Sequence, residues 1–366
     1  MPPFSDTDYV HMARALTLAA RGQYSAHPNP MVGCVIVNDD KIVGEGWHER
    51  AGEPHAEVNA LAAAGREARG ATAYVTLEPC AHHGKTPPCS EALIDAGISK
   101  VIAAMRDPYS EVAGRGLDAL GTAGVATEVG LMRSAAETLN AGYLARVTRN
   151  RPFVRVKIAA SIDGAIAMKS GESQWITGAE ARQDVQRLRA RSGAVLTGIG
   201  TVLADDPSLN VRLEELTPTH LQPLRVVLDS RLRMPLTARM LSLPGETLIY
   251  CAGGHDDSRL DGAGAEVCTF GAAGEQVDAR KVFEDLARRG VNDVLVEAGP
   301  ELTGHLLEQE LVDELVIYQA PHIMGSETRG MFHTPAWQSL TDRKVLKISD
   351  VRRIGGDTRI TARVQY

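Results

Sequence analysis

The residues of this chain best suited to chemistry are His55-Ala56-Glu57, Pro79-Cys80 and Pro88-Cys89. One imidazole and two thiolates can fill three of the four tetrahedral positions of Zn²⁺, leaving the last for water. A closed structural site takes four protein ligands, and Glu57 has no place in such a set. A free carboxylate two residues beyond the histidine is instead placed to move protons during hydrolysis at the metal. The sequence therefore predicts one Zn²⁺ per chain on His55, Cys80 and Cys89, with Glu57 as the catalytic proton carrier. The competing reading, a non-catalytic zinc-stabilised binding module, needs a fourth protein ligand and gives Glu57 nothing to do.

These side chains can meet only if particular elements hold them. Positions two apart on an ideal helix point about 200° away from each other, so His55 and Glu57 share a metal only where a helix begins. Pro54, suited to a first helical turn, agrees with that placement. Helix starts near residues 55 and 89 would also favour thiolates through backbone N–H groups and positive dipole ends. A helix is expected over residues 8–21, with Val10, Ala13, Leu16 and Ala20 on its inward stripe. Strands at 32–37 and 42–48 flank a hairpin turn, Asn38-Asp39-Asp40-Lys41. A helix after Pro54 (Val58, Leu61 and Ala62 inward), a strand at 73–77 and a helix after Pro88 follow. A strand at 100–104 and a helix near 116–124 complete the series.

The text around the motif carries a resemblance. His27-Pro28-Asn29-Pro30-Met31-Val32-Gly33, Gly52-Glu53-Pro54-His55-Ala56-Glu57 and the Pro-Cys…Gly-x-Thr-Pro-Pro-Cys pattern ending at Cys89 resemble the diaminopyrimidine deaminases of riboflavin biosynthesis. Deaminases of cytosine or adenine usually have two residues between their cysteines, whereas Cys80 and Cys89 enclose Ala-His-His-Gly-Lys-Thr-Pro-Pro. The order β-β-α-β-α-β-α resembles the cytidine-deaminase fold. In the long loop His82 and His83 are open to three readings: zinc ligation, contact with the heterocycle, or solvation. Asn29 and His48 are candidate contacts to the pyrimidine, against the blander reading of a capped or solvated strand end.

The second half alternates strand and helix without a Rossmann fingerprint: Gly198-Ile199-Gly200 follows an apolar strand, but the third glycine is missing. Lys157-Ile158-Ala159-Ala160-Ser161-Ile162-Asp163-Gly164, Gly171-Glu172-Ser173-Gln174-Trp175-Ile176-Thr177, Thr201-Val202-Leu203-Ala204-Asp205-Asp206-Pro207 and Val296-Glu297-Ala298-Gly299-Pro300 instead resemble the riboflavin-pathway reductases. That resemblance implies a dihydrofolate-reductase-like fold and NADPH. It assigns Ala159, Trp175, Thr201, Asp205, Ser230 and the turn of Gly299, Pro300, Glu301, Leu302, Thr303, Gly304 and His305 to the cofactor. Ser173, Arg189, Leu209, Arg212 and Glu297 would hold the substrate. The turn also has its own physics: a strand at 293–296 runs through glycine into a helix, whose free N–H groups can hold an anion. Glu301 would oppose that unless it points away. Arg182 and Arg189, seven apart, share a helix face and could pair on a phosphate, or could form part of a solvated basic face. Trp175 could equally be core, and Lys157 and Glu297 are candidates to deliver a proton.

Composition sets the frame. At 366 residues, 44% hydrophobic and 23% charged, the chain suits two soluble domains. The basic, proline-ended stretch near 145–152 places the boundary, giving domains 1–147 and 148–366. A net charge of −7 with no basic half argues against nucleic acid as partner. No apolar run is long enough for a bilayer and no secretory signal is visible. Five cysteines without framework spacing fit a reducing, cytoplasmic setting. A homo-oligomer is compatible with the sequence, which leaves that state open.

The expectation is an α/β chain with an N-terminal cytidine-deaminase-like and a C-terminal dihydrofolate-reductase-like domain. The first would hydrolyse the 2-amino group from 2,5-diamino-6-ribosylamino-4(3H)-pyrimidinone 5′-phosphate. The second would reduce the ribosyl side chain with NADPH, giving 5-amino-6-(5-phosphoribitylamino)uracil. A nucleoside or tRNA deaminase fused to an unrelated domain would share the metal motif but leaves the second half unexplained.

Overall fold

The computed structural model describes residues 1–366 except 1–3, 82–86, 110–112, 214–215, 217–220, 256–257 and 261. The chain forms two compact units, residues 1–150 and 151–366.

The first unit runs α1 (Asp6–Ala19), β1 (Gly33–Asn38), β2 (Lys41–Trp47), α2 (Ala56–Ala64), β3 (Thr72–Val75), α3 (Cys89–Asp95), β4 (Lys100–Ala103), α4 (Arg115–Thr122), β5 (Ala126–Val129), α5 (Arg133–Leu139) and α6 (Ala141–Arg149). Its sheet has the order β2-β1-β3-β4-β5. β1 is antiparallel to β2 and β3, and β3, β4 and β5 are parallel. Asn38 pairs with Lys41, and Asp39 and Asp40 both have positive φ (46° and 59°), the geometry of a type I′ hairpin turn. One apolar layer packs Cys34, Ile36, Val75, Val101 and Ala103 against α2, α3 and α4. The other packs Val35, Val37, Tyr74 and Ile102 against α1 and residues of α5 and α6.

Two expected helix faces are rotated. In α1 the buried residues are Met12, Ala15, Leu18 and Ala19, while Val10 is exposed. In α2 they are Ala56, Glu57, Ala60 and Ala64, while Ala62 is exposed. The cause is close backbone approach. A Cβ on Gly33 would lie 2.0 Å from the Ala15 carbonyl oxygen, and one on Gly44 2.2 Å from that of Ala60. Alanine faces opposite strand glycines, so bulk does not mark the inward side.

The second unit adds β6 (Phe153–Ser161), β7 (Ala165–Met168), α7 (Ala179–Ala190), β8 (Ala194–Gly198), α8 (Ile199–Asp205), β9 (Leu224–Leu228), β10 (Thr247–Cys251), β11 (Glu266–Thr269), α9 (Ala279–Arg288), β12 (Asp293–Val296), α10 (Pro300–Glu308), β13 (Glu314–Ala320), β14 (Thr328–Gly330), β15 (Val345–Ile354) and β16 (Asp357–Gln365). The main sheet has the order β11-β10-β9-β8-β12-β6-β13-β16-β15. Neighbours from β11 to β13 are parallel, and β16 and β15 are antiparallel additions. Its central strands are apolar on both faces, Val294, Val296, Leu196 and Val226 on one and Leu295, Val195 and Val227 on the other. That is the signature of a parallel sheet covered on both sides. β12 enters between β8 and β6, so chain order reverses there. In open α/β sheets such a switch point opens a crevice at the carboxyl ends of the strands.

Candidate functional site

In the first unit His55 is the N-cap of α2, with extended backbone (φ −75°, ψ 166°). Pro54 therefore lies just outside the helix, not in its first turn. The extended cap turns the imidazole away from the helical direction of Glu57, which resolves the two-residue spacing. Cys89 is the first residue of α3, and Cys80 lies in the loop after β3. His55 Nδ1 is 3.2 Å from Cys89 Sγ and 3.6 Å from Cys80 Sγ. The three ligand atoms all lie within 4.8 Å of one another. Zn–S and Zn–N bonds of about 2.3 and 2.0–2.1 Å give tetrahedral edges of roughly 3.5–3.8 Å, so this donor set fits a zinc ion. His82 and His83 lie outside the described residues.

Charge is poised around these atoms. Cys80 is lowered to about 4, chiefly because Cys89 donates a hydrogen bond to it, and His55 adds a second donor. Cys89 is pushed up in return. Its backbone N–H also points at Cys80 Sγ, at 3.4 Å. Glu57 is only 3% exposed. Burial, with the neighbouring Cys80 charge, raises its carboxyl to about 7.

A cavity of about 580 Å³ opens on these residues, its lining including Asn29, His48, His55, Glu57, Cys80, Asp107 and Tyr143. His48 Nδ1 donates to the Pro54 carbonyl (3.2 Å), leaving Nε2 to accept from the Asn29 amide (3.0 Å). Burial lowers the His48 pKa, in the direction of the neutral ring. Its two nitrogens are thus engaged, and the Asn29 carboxamide oxygen is left as the acceptor for a ligand. Asp107 and Tyr143 carry no signal in the sequence. They come from the loop after β4 and from α6, and meet when the Tyr143 hydroxyl donates to Asp107 Oδ1 at 2.9 Å. Glu78, beside Pro79-Cys80, was readable only as a neighbour of the motif; it accepts four backbone N–H groups.

In the second unit Ala159, Ser230, Glu297 and Gly299 lie at or just past the carboxyl ends of β6, β9 and β12, and Thr201 is in the first turn of α8 after β8. Parallel pairing therefore brings these segments to one edge. Gly299 caps α10 with ordinary angles (φ −74°, ψ 176°), and a Cβ there would meet nothing within 4 Å. Gly299 thus needs no unusual backbone angles, and open space lies above it. Glu301 turns to His333, which answers the objection from its charge. Thr303 and Gly304 are buried, Gly304 because a Cβ would lie 1.9 Å from the His333 carbonyl oxygen.

The arginine pair does not form as a clamp. Arg189 is buried and makes a bidentate bond to Glu297 (2.6 and 3.1 Å) and another to the Asn210 carbonyl. Arg182 lies over the Trp175 ring (4.6 Å) and donates to the Thr177 carbonyl. Trp175 is 70% exposed, so it is not core. Lys157 Nζ is 3.7 Å from Glu297. Burial alone would raise the Glu297 pKa, but Arg189 and Lys157 hold it to about 2. Glu297 is thus a fixed anion and a poor proton donor near neutrality. Ser173 is half-buried between β7 and α7, Asp205 is exposed at the end of α8, and Leu209 is buried. Arg212 is exposed and donates to Asn210 Oδ1.

No helix among the described residues is long and apolar enough to cross a membrane. Comparison with known proteins covers both units. Residues 5–105 match the cytidine and deoxycytidylate deaminase zinc-binding region, and residues 152–359 match the RibD C-terminal domain. The riboflavin biosynthesis protein RibD of Escherichia coli K12 is 49% identical over 96% of this chain and 97% of its own. The Acinetobacter baumannii RibD structure superposes with a TM-score of 0.92 at 44% identity, covering 98% and 99% of the two chains. A Thermotoga maritima diaminohydroxyphosphoribosylaminopyrimidine deaminase/5-amino-6-(5-phosphoribosylamino)uracil reductase gives 0.85 at 30% identity, with the same coverage. The deaminase-like and reductase-like folds expected of the two halves are both present, and the chain belongs to the RibD family of bifunctional riboflavin-biosynthesis deaminase–reductases.

Proposed function

We propose that the first unit hydrolyses the 2-amino group of 2,5-diamino-6-ribosylamino-4(3H)-pyrimidinone 5′-phosphate, using zinc on His55, Cys80 and Cys89. The observation that carries this is the meeting of one imidazole, two thiols and a buried carboxylate at one end of a cavity. When bound, zinc supplies a water that ionises near neutrality. Glu57 would carry one proton of the attacking water to a ring nitrogen as the C–O bond forms, then the remaining hydroxyl proton to the amine as the C–N bond breaks, so one water is consumed and one ammonia leaves. Burial, which raises the Glu57 carboxyl above its ordinary value in the metal-free chain, favours a group that both accepts and returns a proton. Asn29, held by His48, orients the ring through its carboxamide oxygen.

We assign the second unit, read as residues 148–366 beside a deaminase domain of 1–147, to NADPH-dependent reduction of the ribosyl side chain. NADPH supplies the hydride. The start of α10, open above Gly299, fits a cofactor phosphate held by backbone N–H groups. Ala159, Thr201, Ser230 and residues 299–305 form the cofactor side with Trp175 and Asp205, and Ser173, Leu209, Arg212 and the Arg189–Glu297 pair the substrate side. Within that pair Glu297 sets the guanidinium, and Lys157 is the better candidate for the proton. The free thiols suit a cytoplasmic setting.

Metal removal tests the deaminase reading. Chelator-treated protein is expected to release no ammonia from the diaminopyrimidine phosphate and to regain the activity when zinc is returned. Undiminished ammonia release from protein shown to be free of metal overturns it.

A further inference from the structure

The Glu78 carboxylate is 3% exposed and takes no part in the chemistry described above. Its Oε2 accepts from the backbone N–H of Asp107 (3.2 Å) and Gly114 (3.1 Å), and its Oε1 from Gly116 (3.1 Å) and Leu117 (3.3 Å). Gly114 is the N-cap of α4, so three of these donors belong to that helix's start, which has no intrahelical acceptors for them. Negative charge is favoured at that end. Glu78 is also two residues before Cys80, and α4 seats directly on the intervening residue: a Cβ on Gly116 would lie 1.8 Å from the Pro79 carbonyl oxygen.

From this geometry we infer that Glu78 is a positioning residue for the metal centre: its four-fold grip on backbone amides fixes the Cys80 arm against α4 and against the Asp107 wall of the cavity. The inference rests on the proposed zinc site. Both faces of the grip reach the site. On one side the chain continues through Pro79 to Cys80. On the other, Asp107 is held by its own N–H while its side chain accepts the Tyr143 hydroxyl at the cavity. An isosteric amide cannot replace the carboxylate, because each oxygen faces two N–H donors and an NH₂ group would oppose two of them.

The test compares Glu78→Gln with wild type and with Tyr74→Phe. The last loses the bond to Asp8 (2.7 Å) in the same unit without touching the metal arms. Apo proteins are titrated with zinc against a competing chelator, and with cobalt(II) to read the sulfur-to-metal absorption. Partners that orient metal ligands typically contribute about 10–100-fold in affinity. Glu78→Gln is expected to lose zinc affinity in that range and to shift the cobalt spectrum, while Tyr74→Phe lowers thermal stability and leaves both unchanged. Gly116→Ala, which pushes α4 off Pro79, is expected to act like Glu78→Gln and carries the test if the latter does not fold. Wild-type affinity and spectrum in either folded variant overturn the inference. Failure of the wild type itself to bind zinc or cobalt overturns the metal reading beneath it.

Discussion

Glu57 and Glu297 are both buried glutamates, and their surroundings drive them in opposite directions. Around Glu57 burial and a nearby thiolate favour the protonated form. Around Glu297 two cations overcome burial and keep the charge. In the proposed mechanism the first carries the proton, so Glu57→Gln is expected to cut deamination by about 10²–10⁴-fold or more, with bound zinc retained by metal analysis. The second is a structural anion. Glu297→Gln leaves Arg189 buried without its partner, and is expected to destabilise the reductase unit by about 3–5 kcal/mol. Because the Glu297 pKa is depressed on folding, its stabilisation is complete above the unfolded value, about 4.3. It is lost as pH falls toward 2. The stability gap between wild type and variant, measured by denaturant unfolding, should therefore be constant above about pH 5.5 and narrow below 4. A gap that widens in acid contradicts the assignment. At this scale the His55, Cys80 and Cys89 cluster was legible because residue type and spacing mark it. The Arg189–Glu297 pairing was not, because those side chains are 108 residues apart and meet only across the folded sheet.

Elements whose signal is local were read closely. The β1–β2 hairpin, the strand β12 and the helix α10 fall within a residue or two of expectation. β5 was missed, being a short strand, Ala126–Val129, with a charged residue in it. Helix faces failed where glycine on a strand lets a helix backbone approach, since the pattern then depends on the partner element. The edge at which the expected cofactor segments of the second unit gather is likewise a product of strand order, which no single segment contains. Gly299 tests it. With no protein atom within 4 Å of its Cβ position and φ of −74°, Gly299→Val should fold normally and weaken NADPH binding strongly. A control needs a glycine outside the left-handed region, which excludes Gly262 (φ +74°). Gly356, exposed and with open space, serves instead. Fluorescence titration giving Gly299→Val and Gly356→Val equal, wild-type-like affinities would remove the turn from the cofactor site.

Over the whole molecule, two units with separate cores and separate candidate sites correspond to two family matches that do not overlap. The chain length suits two domains, and the units divide between Asn150 and Arg151 rather than at the expected 147/148, because α6 runs to Arg149. The proposed function orders two reactions on one pyrimidine phosphate, hydrolysis in the first unit and hydride reduction in the second. The most direct measurement supplies 2,5-diamino-6-ribosylamino-4(3H)-pyrimidinone 5′-phosphate to the full chain with and without NADPH, and follows ammonia, NADPH and products together. Without NADPH the reaction should stop at the deaminated ribosyl compound, with one ammonia per substrate. With NADPH it should proceed to 5-amino-6-(5-phosphoribitylamino)uracil, consuming one NADPH for each ammonia released. NADPH oxidation without ammonia release, or ammonia release with no reduction when NADPH is present, would contradict the account.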